Sequence, residues 1–150
     1  MSKLPIVPFE TTLHVKDTCL CLHVQRAARA IARRFDEALR PLEITNGQFS
    51  LLMSLNRPAP PNMGSVAALL AMDRTTLTAA LKPLERRGLV ETFADAEDRR
   101  SRRMRLTPEG ERLLERALPI WTSTHGALDM ALGVDGPEQL RADLLMIGRS

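Results

Sequence analysis

A mainly α-helical chain with one small β-hairpin, arranged as a helix-turn-helix followed by a wing, is the fold this sequence predicts. Three observations predict it. Apolar residues recur at three- and four-residue steps through most of the chain. The period changes to two in one place only, around 89–93 and 103–106. Between those two short strands lies ADAEDRRS, a stretch too charged for a core and suited to an exposed hairpin tip.

The 150 residues fit one domain. A hydrophobic fraction of 44% supplies a core, and the formal charge is only +3, so the distribution of charge matters more than its sum. Aromatics make up 3% with no tyrosine, which argues against a base-stacking platform. The longest apolar run, 66–72, falls far short of the roughly 20 residues that span a bilayer. MSKLPIVPFE has no apolar signal region, and two cysteines build no disulfide framework. A cytoplasmic location without membrane contact is expected.

In chain order, residues 1–13 are expected as an extended arm, because Pro5 and Pro8 oppose a regular helix. From Asp17, Leu20, Val24, Ala27, Ile31, Phe35 and Leu39 mark a helix that stops before Pro41. Thr45 with Gln48 forms a capping box for a second helix, which ends at the proline-rich 57–61. A third helix covers about 64–71. Asp73 caps a fourth over 74–87, with Gly88 just past its end. Pro83 removes a backbone donor there and is expected to bend the last turn. Thr107-Pro108-Glu109 starts a long helix to about 132, and a last one covers 138–147.

Two groups of residues carry chemistry. The fourth helix opens with Arg74, Thr75, Thr76 and Thr78, side chains that reach base edges and phosphates from a helix in a major groove. Ser65 and Lys82 extend that surface. The hairpin then places Arg99, Arg100, Arg102, Arg103 and Arg105, five guanidiniums, within seven residues. An exposed arginine loop suits the minor groove, where the potential is most negative. From Lys82 to Arg105 there are eight basic and five acidic residues, which matches the excess of the whole chain. The plain alternative is a solvated charged hairpin. The helix-turn-helix immediately before it favours double-stranded DNA.

The stretches DRTTLTAALKPLERRGLVE and DAEDRRSRRMRLTPEG resemble the MarR family of multiple-antibiotic-resistance regulators. The wing pattern is carried by Asp95, Asp98, Arg99, Arg100, Leu106, Thr107 and Gly110, and the likeness covers nearly the whole chain. It implies one domain over 1–150, with a DNA-binding lobe over about 45–107. Dimerisation helices are implied over about 5–40 and 108–150. It also implies an obligate homodimer on a pseudo-palindromic operator, usually a repressor released by a small aromatic or phenolic ligand or by cysteine oxidation. Ala71 stands where the family commonly has glycine.

The resemblance places an effector pocket between the dimer helices and the DNA-binding lobe. Its candidate walls are His23, Arg26, Phe49, Met53 and Trp121, with Arg26 suited to a carboxylate. Ordinary core packing is the alternative for all five, and it is the favoured reading for Phe49 and Met53.

Cys19 and Cys21 are read as helical and splayed, at about 100° per residue. Cys21 resembles the peroxide-sensing cysteine of the organic-hydroperoxide branch, whose activating tyrosines are missing here. Oxidation of Cys21 or Cys19 is therefore the alternative switch. Cys19-Leu20-Cys21-Leu22-His23 is also superficially similar to the metal box of the arsenic repressors, but it lies far upstream of the recognition helix. No metal site and no other cofactor is expected. No nucleophile elbow, phosphate-binding glycine loop or HExxH is present, so catalysis is not expected.

Overall fold

The computed structural model describes residues 6–149. The described chain divides between Arg34 and Phe35 into two compact units. The first holds α1 (Phe9–Thr18) and most of α2 (Leu20–Leu39). The helix α1 overturns the extended arm from Phe9 onward, while residues 1–5 lie outside the described residues. Pro8 is the N-cap residue of α1, where its missing N–H removes no helical bond.

The chain breaks at Cys19, which is extended at φ −70° and ψ 110°. This corrects the reading of Cys19 and Cys21 as neighbours on one helix. Cys19 stands ahead of α2, and its Sγ accepts the Leu22 N–H at 3.5 Å.

In the second unit a 3-10 turn, Arg40–Leu42, takes Pro41 into its first residues. Thr45 caps α3 (Asn46–Leu55) with the expected reciprocal Gln48 bonds. Asp36 accepts the backbone N–H and side-chain amide of Asn46 at 2.7 and 2.8 Å, which fixes that helix start. The next helix, α4 (Met63–Leu69), begins one residue earlier than expected because Asn62 caps it. Asp73 then caps α5 (Arg74–Arg86), and Pro83 lies inside it with three helical residues following.

The turn between α4 and α5 contains Ala71 at φ 53°. An L-residue pays roughly 1–2 kcal/mol for that region, partly offset by the extra freedom a glycine loses on folding. Ala71→Gly is therefore expected to stabilise the lobe by about 0.5–1 kcal/mol. A urea midpoint equal to or below that of the parent chain would contradict this.

The wing pairs β1 (Val90–Ala94) with β2 (Arg102–Leu106) antiparallel, in the register Val90 to Leu106 and Thr92 to Met104. A third, minimal rung comes from the proline-rich loop. The Met104 N–H donates to the Pro61 carbonyl at 3.1 Å, and Asn62 bridges Arg103. Thr107 caps α6 (Pro108–Leu132), and α7 (Gly136–Ile147) follows the Gly133 break. The core gathers Leu39, Leu52, Val66, Leu77, Leu84 and Met104 from five different elements, all fully buried. Burying each such side chain contributes about 1.5–3 kcal/mol, and together they hold α5 and the wing on one scaffold.

Three carboxylates sit below their ordinary value of 3.8. Asp36 is lowered by the Asn46 backbone and side-chain donors, and Asp73 by the Thr76 N–H. Asp95 is lowered first by the Glu97 N–H and then by Arg103. A depressed folded-state value favours the folded chain above about 3.8, and this is lost as pH falls through the depressed values. Denaturation at pH 5 and pH 3 is expected to show lower stability at pH 3, with a smaller difference in Asp36→Asn. An equal loss in that variant would remove Asp36 from the acid response.

A candidate DNA interface

The DNA candidates meet between α5 and the wing. Arg74 and Thr78 of α5, Asn62 and Gly64 at the start of α4, and Arg100, Ser101 and Arg102 of the wing line one hollow of about 300 Å³. A second hollow of about 210 Å³ adjoins it, sharing Thr78 and Arg102 and adding Lys82 and Thr92. Five of the nine sequence candidates are thus brought to one concave surface. Thr75 and Thr76 are exposed on the first turn of α5, Arg99 at the wing tip, and Ser65 on α4.

Local geometry decides what each group offers. The Asp73 carboxylate accepts the Thr76 N–H at 2.7 Å, so the start of α5 is fixed before any ligand arrives. Gly64 gives the Arg74 guanidinium its room, since a Cβ there would lie 3.2 Å from Nη2. The Thr78 hydroxyl donates to the Arg74 carbonyl at 2.8 Å, and that of Ser65 to the Asn62 carbonyl at 3.0 Å. Both therefore present acceptor lone pairs outward, and Thr78 also its methyl, a partner for the thymine methyl.

The wing arginines divide in two. Arg103 donates to Asp95 at 2.9 Å and to the Pro60 carbonyl at 2.7 Å, tying the wing to the proline-rich loop. Arg105 donates to Glu91 at 2.8 Å and lies 4.8 Å over the Phe93 ring. These two brace the hairpin. Arg99, Arg100 and Arg102 are exposed and make no ion pair among the described residues. The tip that carries them is knitted by its own backbone. Asp95 N–H donates to the Ser101 carbonyl, and Ser101 N–H to that of Asp98, each at 2.9 Å. Arg87, counted with the recognition helix by its position, donates instead to the Glu43 and Leu42 carbonyls at 2.6 and 3.3 Å. Asn62, Gly64 and Ser101 were missed as lining residues. The Asn62-x-x-Ser65 capping spacing was the one signal that pointed to that helix start.

The effector candidates do not form one group. Phe49, Met53 and Trp121 line an almost wholly apolar hollow of about 300 Å³ with Ser50 and Leu118. Phe49 is core, whereas Met53 is exposed, which corrects the core-packing alternative for Met53. Trp121 stacks on His125, with centroids 4.7 Å apart, and His125 meets Asp129 at 3.2 Å. His23 and Arg26 line a separate trough with other residues of α2. Both thiols are free; Cys21 is exposed and accepts the Gln25 amide at 3.0 Å. Among the described residues no three His, Cys, Asp or Glu side chains cluster as metal ligands. No described helix is long and apolar enough to cross a membrane.

Comparison with known proteins gives a consistent picture. The model of the MarR family matches residues 44–101, which is the stretch from the α3 cap to the wing tip. The transcriptional regulator MosR of M. tuberculosis, solved in complex with DNA, is 37% identical with a TM-score of 0.79, over 87% of this chain and 94% of that one. The transcriptional repressor CouR bound to a 23-mer DNA duplex is 29% identical with a TM-score of 0.82, over 99% and 100%. CouR from Rhodococcus jostii RHA1 bound to p-coumaroyl-CoA is 25% identical with a TM-score of 0.76, over 87% and 92%.

Proposed function

The chain belongs to the MarR family of DNA-binding transcriptional regulators, which are not enzymes, and from that premise we propose a repressor that grips its operator through α5 and the wing. The observation that carries this reading is the shared hollow. Arg74 and Thr78 of α5 line it together with Arg100 and Arg102 of the exposed hairpin, the arrangement a helix in a major groove and a wing beside it would need. A helix and a loop at that spacing read base edges and backbone together. Arg99→Ala or Arg100→Ala is expected to weaken binding in a gel-shift titration and to lower its salt slope by about one. Binding at parent strength with an unchanged slope would contradict a wing in the groove.

A homodimer follows from the surface each unit leaves uncovered. Leu20, Val24 and Ile31 of α2 are exposed, and so are Met130, Leu145 and Met146 near the C-terminus. So much exposed apolar side chain at helical spacing calls for a partner, and two-fold pairing supplies the two half-sites of an operator. Sedimentation is expected to return twice the mass of one chain.

The apolar hollow around Trp121 is the place for a small aromatic effector, in line with the CouR relative that binds an aromatic thioester. Trp121 is the only tryptophan, so its fluorescence reports this hollow alone. A phenolic acid is expected to quench it saturably and to release DNA, with both effects lost in Met53→Arg. Quenching without release would make the hollow a bystander.

A second reading keeps the same DNA surface and switches it by oxidation. It is favoured by the break in the helix at Cys19 and the exposed thiol of Cys21 two residues on. Two thiols would lose two protons and two electrons to form a disulfide, with peroxide reduced to water. Peroxide treatment followed by non-reducing electrophoresis decides it. The absence of a crosslink, with DNA affinity unchanged, would remove it.

A further inference from the structure

The face of α2 opposite its apolar side has no role in the surface described above. Taken at about 100° per residue, Arg26, Arg29 and Arg33 fall within an arc of about 60°. Leu20, Val24 and Ile31 fall on the other side of the helix by the same measure. A partner subunit that covers the apolar side therefore leaves the arginines open.

Between Leu20 and Arg34 the chain has four arginines and no acidic residue. Arg26, Arg29 and Arg33 are exposed, and none makes an ion pair among the described residues. Arg29 has only a neutral partner, the Gln25 side chain at 3.3 Å. Ala27 and Ala30 flank the arginines on one side of the helix, and with His23 and the three arginines they line an open trough of about 530 Å³. Asp36 and Glu37 follow at the C-terminal end of α2, but Asp36 is taken up by Asn46 and neither closes an ion pair with the arginines among the described residues. Like charges along one face raise the folded chain's energy, and a ligand that neutralises them lowers it.

We propose that this face binds a ligand bearing phosphates in series, held by Arg26, Arg29 and Arg33. A single carboxylate engages one guanidinium fork. Three forks spread over about 10.5 Å of helix suit several anionic groups in a row. The small side chains of Ala27 and Ala30 leave space for the part of the ligand that links them. The phosphates belong either to a small organic diphosphate or to the backbone of the bound duplex, and one set of variants separates the two.

The test uses the full chain, the double variant Arg29→Ala/Arg33→Ala, and Arg116→Ala/Arg141→Ala as a control with the same change of charge on exposed positions of α6 and α7. Calorimetry with ADP and with pyrophosphate is run beside duplex binding over a range of salt. The proposal expects one of two patterns. Either ADP and pyrophosphate bind, and the α2 variant weakens them at least tenfold while the control does not. Or neither small probe binds, and the α2 variant alone lowers the duplex salt slope by about two, as two lost phosphate contacts require. The first outcome assigns a free diphosphate, the second the DNA backbone. Equal behaviour of the two double variants toward every probe would overturn the proposal, because the loss would then reflect net charge alone.

Discussion

Arg74→Ala combined with Arg100→Ala is expected to lower affinity for a specific duplex at least about 30-fold, since each lost arginine contact to the duplex is worth about 1–3 kcal/mol. The two side chains line the same hollow from opposite sides, one on α5 and one on the wing. Neither supports the fold: both are exposed and without an ion pair among the described residues. The thermal midpoint should therefore stay within about a degree of the parent, because surface changes of this kind are usually worth less than about 0.5 kcal/mol. Neighbouring contacts couple, so the two single variants belong in the same experiment as a double-mutant cycle. A double variant that binds within a few-fold of the parent would mean that the hollow does not face DNA.

Gly110→Ala is expected to cost the second unit about 3 kcal/mol. The Gly110 N–H donates to the Thr107 hydroxyl oxygen at 3.1 Å, and that hydroxyl donates to the Gly88 carbonyl at 2.6 Å. The Thr107 N–H holds the Leu89 carbonyl at 3.0 Å. A Cβ on residue 110 would run into that same Leu89 carbonyl oxygen, a backbone group with no freedom to retreat. The clash falls at the joint between β1 and α6, so the wing's seating suffers with the stability. With a urea slope of about 1–3 kcal/mol per molar, the midpoint should fall by about 1 M or more. Gly126→Ala, where an added Cβ meets nothing within 4 Å on the same helix, should raise the midpoint instead. Equal midpoints for the two variants would refute the packing at Gly110.

Local chemistry was the part legible from residues alone. Thr45 with Gln48, Asp73 and Thr107 each announced a helix start through a side chain that bonds its own backbone a few residues on, and each does so. The change of period near residue 89 marked both strands of the hairpin to within about a residue, and Met104 in the second is fully buried. What stayed hidden depended on distant partners. Nothing near Arg103 in sequence announces that its guanidinium will close on the Pro60 carbonyl, or that Arg87 will reach the turn at residues 42–43. A count of arginines therefore overstated the charge offered to DNA. The N-terminal helix was missed for a local reason: Pro8 was read as a breaker, whereas at the N-cap it is harmless. The effector candidates fell into two sets, those on α3 and α6 lining one hollow and those on α2 another. The trough on α2 has the pattern of an ordinary solvated face in sequence, and only the lack of an ion pair to its arginines among the described residues distinguishes it.

Duplex binding by α5 and the wing is tested most directly by recovering what the purified full chain retains from sheared genomic DNA and sequencing it. The expected result is a set of fragments sharing a two-fold repeated motif with half-sites about 34 Å apart, one helical turn, lost when Arg74 and Arg100 are both alanine. Fragments with no common sequence, or retention that persists in that double variant, would contradict it.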